Sequence, residues 1–203
     1  MKLALVGATG FVGSHILQEA LSRAHTVIAI ARYVDALPKH PGLTARKADA
    51  ADHEALAHAV VGADAVITAL PFRSTNYETL RAAVKRSGVA RWLIVGGAGS
   101  LRAADGRPLL EQGDFPPEFR AEAAAGAAFL TALRQERIVS WTFLSPSAHL
   151  HDGPKTGGFR VGGDGLLVDA HGESHIAVAD FAQAMIDEAE SARHPRQRFT
   201  VGY

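Results

Sequence analysis

The chain contains no cysteine. Disulfides, thiolate metal sites and thiol nucleophiles are therefore excluded. Neither charge is in excess: 21 lysines and arginines balance 21 aspartates and glutamates, and no Lys/Arg run concentrates the positive ones. No global field would draw such a chain to nucleic acid or to an anionic membrane. No apolar stretch is long enough to span a bilayer. The opening Met1-Lys2-Leu3-Ala4-Leu5-Val6 sets a charge before apolar residues, but the run breaks at Gly7 without a small-residue cleavage site. It reads as a strand, and the protein as soluble and cytoplasmic. Hydrophobic residues make up 47% of the chain and charged ones 21%, so a folded core is expected and disorder is not.

What the sequence does have is alternation. Residues 3–6, 26–30, 65–70 and 92–95 are nearly continuous apolar runs of strand length. Such runs suit strands buried on both faces of a parallel sheet. Residues 43–48 are a weaker strand candidate and 139–144 a good one. Amphipathic stretches lie between them: 14–23; 52–60, with Asp52 as N-cap; 76–87, ending at Gly88; and the Ala-rich 117–137. This order predicts an α/β fold built on a doubly wound parallel sheet with right-handed crossovers. After Pro146 the texture becomes Gly-rich. Residues 159–161 and 166–168 flank Gly162-Gly163-Asp164-Gly165, which predicts a β-hairpin. A last helix is expected over 180–190 with Asp180 as N-cap, then a closing strand over 198–201. Residues 1–203 thus read as one domain, in which about 147–180 form a small substrate-facing lobe.

The strongest motif is Gly7-Ala8-Thr9-Gly10-Phe11-Val12-Gly13. It follows one predicted strand and opens a predicted helix, the context that a dinucleotide fingerprint requires. Gly7 would make the tight turn, Gly10 would let the backbone approach a pyrophosphate, and Gly13 would let helix and strand pack closely. The helix N-terminus adds free N–H groups and a positive dipole end. At the end of the second strand an acid would accept hydrogen bonds from a ribose 2′-OH, whereas an arginine accommodates a 2′-phosphate. Arg32 stands there and Asp35 lies three residues on, which points to NADPH over NADH.

With these residues the chain resembles the atypical short-chain dehydrogenase/reductases, whose spacing is Gly-x-x-Gly-x-x-Gly. Within them it is similar to the NmrA-like NADH-flavin reductases and flavin reductase/biliverdin-IXβ reductases. The likeness spans almost the whole chain, from the glycine loop and Arg32 through Asp49, residues 93–100 and Ser145-Pro146 to the closing 198–203. It implies a Rossmann-like NAD(P)-binding fold with Asp49 and Ala50 flanking the adenine. It also implies Ala69, Leu70 and Pro71 under the cofactor ribose, Arg73 on the neighbouring loop, and Ser145 and Pro146 facing the nicotinamide. Gly96 and Gly97, in the run Val95-Gly96-Gly97-Ala98-Gly99-Ser100, complete the cofactor set, and Ser100 is the nearest counterpart of the family's post-strand serine.

Ordinary short-chain dehydrogenases use a Tyr-x-x-x-Lys pair on the helix after the fifth strand, the phenol serving as proton donor. Phe119 and Ala123 stand at the matching positions, and Tyr33, Tyr77 and Tyr203 have no lysine four residues on. Sugar epimerisation and alcohol oxidation are therefore disfavoured. Hydride transfer to a flavin or similar planar acceptor, such as a quinone or tetrapyrrole, needs no such acid, because the cofactors carry the electronics. Flavin would be a substrate here and not a tightly bound group. The alternative is a non-catalytic NADP-binding sensor of the NmrA type. A metal is not expected, since His53 and His58 are one residue too far apart for His-Glu-x-x-His. His149 and His151 could line the substrate mouth, although an exposed-loop role fits them better. The implied partners are small molecules, with neither nucleic acid nor membrane, and the chain is read as a monomer or homodimer.

Overall fold

A computed structural model describes all 203 residues. Ten strands are present: β1 (Lys2–Val6), β2 (Thr26–Ala31), β3 (Leu43–Lys47), β4 (Ala65–Thr68), β5 (Arg91–Val95), β6 (Ser140–Ser145), β7 (His149–His151), β8 (Arg160–Gly162), β9 (His175–Ala177) and β10 (Gln197–Gly202). Five helices accompany them: α1 (Phe11–Ser22), α2 (His53–Val60), α3 (Tyr77–Ser87), α4 (Pro117–Leu133) and α5 (Val178–Ser191). Eight strands form one sheet in the order β3-β2-β1-β4-β5-β6-β10-β8, while β7 and β9 pair separately. All pairings in the large sheet are parallel except β8 against β10. The mostly parallel, doubly wound sheet expected from the sequence is the fold.

The continuous apolar strands follow from burial on both faces. In β1, Leu3 and Leu5 join a cluster with Ile16 and Leu17 of α1 and Phe181 and Met185 of α5. Ala4 and Val6 join the opposite cluster, with Leu56 of α2, Leu80 and Val84 of α3 and Phe129 of α4. Successive residues of a strand point to opposite faces, so alternation between two apolar layers appears as an unbroken run. Each large side chain so buried contributes roughly 1.5–3 kcal/mol.

Helix ends follow the sequence in several places. The Asp52 carboxylate accepts from the backbone N–H of Glu54 and Ala55, and the Asn76 side chain accepts from Thr79 N–H. Gly88 ends α3 in the left-handed region at φ 76°. Other expectations need correction. The first helix starts at Phe11, three residues earlier than the apolar periodicity suggests. The fourth ends at Leu133, because the buried Glu136 carboxylate takes the N–H groups of Ile138 and Val139 and turns the chain toward β6. No hairpin forms between 159–161 and 166–168. β8 pairs with β10 instead, and Leu166 N–H donates to Arg102 O at 2.8 Å.

Asp180 does not cap the last helix. Ala177 occupies that place, and Asp180, fully buried, accepts from Thr156 N–H and O–H, Gly157 N–H and the Tyr203 hydroxyl. One carboxylate thus ties the Gly-rich segment around Gly157 and the C-terminal Tyr203 to α5. Burial raises its pKa, but these hydrogen bonds outweigh burial and hold it below the usual aspartate value.

Candidate functional site

The strand order reverses at β1 and β4, and the loops leaving their C-terminal ends meet there. Open α/β sheets place their ligand crevice at such a switch point. Gly7 turns the chain at φ 87°, and a Cβ on it would lie 2.2 Å from Ala69 O. A Cβ on Gly13 would lie 2.0 Å from Gly7 O. Both glycines are packing requirements. Gly10 is different: its φ is −76°, and a Cβ there would meet only Gly7 O, at 3.4 Å. Its missing side chain leaves an opening in front of the loop.

That opening faces the start of α1. Gly10 caps the helix without a side-chain bond, and the first turn holds no acid. Ser14 N–H is the first to bond back along the helix, to Gly10 O at 2.9 Å. The N–H groups of Phe11, Val12 and Gly13 precede it and have no intrahelical acceptor. Free donors at a positive dipole end make an anion site.

Two joined cavities run from this loop. One, of about 410 Å³, is lined by Gly7, Thr9 and Gly10, by Arg32 and Tyr33 after β2, and by Asp49 and Ala50 after β3. Arg32 is exposed and has no hydrogen bond or ion pair within the protein. The other, of about 730 Å³, shares Gly10, Ala69, Leu70 and Pro71 with the first and continues past Phe11, Val12, Gly96, Gly97 and Ser100. Its walls include the rings of Phe72, Phe115 and Phe119, and Ala123 lines it as well. Phe119, 59% exposed, and Ala123 therefore face the cavity from the positions where a tyrosine and lysine would act.

Only four side chains lining the larger cavity are polar: Ser100, Asp114, Glu122 and His149. Glu122 is committed to backbone, accepting from Phe72 N–H at 2.6 Å and Arg73 N–H at 3.0 Å. Ser100 is backed by Arg198, whose side chain is only 2% exposed and whose Nη1 lies 3.5 Å from Ser100 Oγ. Arg198 Nε donates to Asp164 Oδ1 at 2.6 Å, and Nη1 also reaches Ser145 Oγ at 3.4 Å. Burial lowers the Arg198 pKa from its ordinary value, against the opposing pull of Asp164.

Four predicted residues fall outside both cavities, one of them Gly13, which packs against Gly7 O. Arg73 is exposed on the rim loop and reaches Glu122 through its backbone alone. Ser145 and Pro146, expected to face the nicotinamide, are buried; Ser145 turns its hydroxyl to Arg198. The reason is register: Ser145 pairs with Thr200 inside the sheet and cannot reach past the strand end. Of the histidines, His149 lines the larger cavity and His151 does not. His151 Nε2 instead lies 3.5 Å from His175 Nδ1. Asp169, Glu173 and His175 also bring a ligand-type atom each within 4.8 Å of one another, a grouping that spacing did not disclose.

Phe72, Phe115, Asp114 and Glu122 were missed in the sequence. They lie in loops or on an Ala-rich helix, where no periodicity marks them. Arg198 carried a signal: a lone charge in the closing strand, beside Phe199 and Val201, asks for a buried partner.

The NAD(P)H-binding family model matches residues 7–190. A Bacillus subtilis protein of uncharacterised function, YwnB, is 36% identical over 99% of this chain and 98% of its own. A solved structure from Bacteroides thetaiotaomicron, provisionally named an epimerase, is 40% identical with a TM-score of 0.94, covering 100% of this chain and 96% of its own. Another from Streptococcus pneumoniae, provisionally named an NADH-flavin reductase, is 34% identical with a TM-score of 0.86, covering 100% and 99%. No helix is long and apolar enough to cross a membrane.

Proposed function

The chain belongs to the NAD(P)H-binding family, and on that premise we propose that it is an NADPH-dependent reductase of flavins or similar planar acceptors, working in the cytoplasm. The observation that carries this reading is the continuity of the two cavities: an anion-accepting helix end leads directly into an apolar, aromatic-walled slot. The residues present fit a dinucleotide, since the space that a Cβ on Gly10 would occupy is open and the N–H groups behind it are unspent.

In this reading Phe11 and Val12 hold the pyrophosphate by backbone N–H groups, and Gly10, whose own N–H donates to Gly7 O at 3.1 Å, gives it room. Thr9 borders them. Arg32 takes the 2′-phosphate, and Asp49 and Ala50 border the adenine. Ala69, Leu70 and Pro71 line the ribose, and Gly96 and Gly97 admit the nicotinamide because they carry no side chain. When bound, the nicotinamide supplies a hydride. The protein orients it and excludes water with Phe72, Phe115 and Phe119. The lobe over about 147–180 closes the acceptor end through His149.

Phe119 and Ala123 weigh against the epimerase name carried by one relative, because neither can take or return a proton. Provision of a proton from solvent suffices for a flavin. The test is anaerobic mixing of the pure protein with NADPH and riboflavin, following the flavin absorption band. Bleaching that scales with protein concentration supports the reading. Tight NADPH binding without turnover of any flavin or quinone would move the assignment to a dinucleotide sensor.

A further inference from the structure

We propose that the larger cavity selects acceptors that carry no negative charge: a quinone or an unphosphorylated isoalloxazine in preference to FMN, FAD or a carboxylated tetrapyrrole. The inference rests on the reductase reading and narrows its substrate class.

The argument is electrostatic. No lysine or arginine lines the cavity. Among its four polar side chains, Glu122 is spent on two backbone N–H groups, and Ser100 lies against Arg198. Arg198 is neutralised locally by Asp164 and buried behind Ser100, so it offers no exposed cation. That leaves Asp114, exposed at the rim without a partner, and His149 at the mouth. Of the arginines near the rim, Arg120 gives its guanidinium to the carbonyl oxygens of Leu110 and Phe115, and Arg73 is exposed beyond Phe72. A phosphate or carboxylate on the acceptor would thus meet an acid and aromatic rings, with no dedicated cation. Charged ligands need a paired, hydrogen-bonded partner when they leave water. An uncharged ring meets only favourable surface from Phe11, Phe72, Phe115 and Phe119.

The reaction balances without a further reactant. For a quinone, two electrons and one hydrogen nucleus pass as hydride from NADPH, one proton comes from solvent, and hydroquinone and NADP⁺ result. The NADPH C4–H bond breaks and a new bond to hydrogen forms on the acceptor.

The test uses matched pairs that differ in one anionic group: riboflavin against FMN, and 1,4-naphthoquinone against its 2-sulfonate. Dissociation constants are measured by equilibrium dialysis on the protein saturated with NADP⁺ at pH 8, where histidine is ordinarily neutral. Turnover with NADPH is measured in parallel. The uncharged member of each pair should bind at least about tenfold more tightly at low ionic strength, roughly the size of one unfavourable charge contact. Added salt should narrow the gap. Asp114→Lys should narrow or invert it. Equal binding, or tighter binding of FMN and the sulfonate, overturns the inference. So does a loss of FMN binding confined to Arg73→Ala, since that would identify a phosphate-binding cation at the rim. Tighter binding of the uncharged members with no turnover would leave the pocket's selectivity standing and defeat the reductase reading alone.

Discussion

The buried guanidinium of Arg198 lies 3.5 Å from the hydroxyl oxygen of Ser100. A guanidinium can only donate, so the serine oxygen accepts, and its own proton is left to point elsewhere. Ser100 lines the larger cavity, so under the proposed reading its hydroxyl proton is free to point toward the acceptor. Ser100→Ala should cost less than about tenfold in turnover with riboflavin, because flavin reduction needs no acid in the site. A loss of about 10²–10⁴-fold, the usual contribution of general acid catalysis, would mark Ser100 as an essential proton donor and the substrate as a ketone or aldehyde. Single-turnover stopped flow with NADPH binding measured alongside separates the two.

Arg32 has no partner in the protein, so its removal should leave stability unaltered and affect the dinucleotide alone. Arg32→Ala should weaken NADPH binding by roughly 1.5–3 kcal/mol, the range for hydrogen bonds to charged groups, with NADH little changed. Calorimetric titration with both cofactors reads this directly. Equal losses for the two would show that Arg32 does not meet a 2′-phosphate.

The two glycines ending the loop should behave in opposite ways. A side chain on Gly10 meets only Gly7 O at 3.4 Å, so Gly10→Val should fold and lose dinucleotide binding. A Cβ on Gly13 would sit 2.0 Å from Gly7 O, so Gly13→Ala should lower unfolding free energy by about 1–3 kcal/mol or more, as overpacking does. Thermal unfolding and fluorescence titration of NADPH test the pair. A folded Gly10→Val that still binds NADPH in the micromolar range would reduce the loop to a structural turn.

Glu136 links stability to pH. Burial raises its pKa, but hydrogen bonds from Ile138 N–H, Arg81 and Val139 N–H outweigh burial and hold it at about 2, below the ordinary glutamate value of 4.5. A carboxyl depressed on folding stabilises the protein above its unfolded pKa, and that contribution is lost as pH falls toward the folded value. Stability from this group should be complete above about pH 5 and drain away between there and about pH 2, by roughly 3 kcal/mol in all. Urea unfolding of wild type and Glu136→Gln across that window is the measurement. An identical pH slope for both proteins would remove Glu136 from the account.

Phe119→Tyr combined with Ala123→Lys places the usual proton-donor pair on the cavity wall. It should leave flavin reduction unimproved. A rise of tenfold or more would mean that the acceptor needs a proton from the protein.

The amino-acid sequence by itself determined the sheet and the glycine loop. Strands such as β1 are legible because burial on two faces demands unbroken apolar residues. Gly7, Gly10 and Gly13 are legible because their spacing answers to local geometry within a few residues. Only the tertiary structure decided the aromatic-walled cavity beside that loop. Phe72 follows β4 whereas Phe115 and Phe119 flank the start of α4, so their shared cavity depends on how α4 packs beside the turn after β4. Ser145 reads like a site residue until strand register buries it against Arg198. Asp180 reads like a cap until its carboxylate gathers Thr156, Gly157 and Tyr203 from distant parts of the chain. Local preferences act over a few residues, whereas hydrogen bonds and apolar contacts between remote segments exist only once the sheet has brought them together.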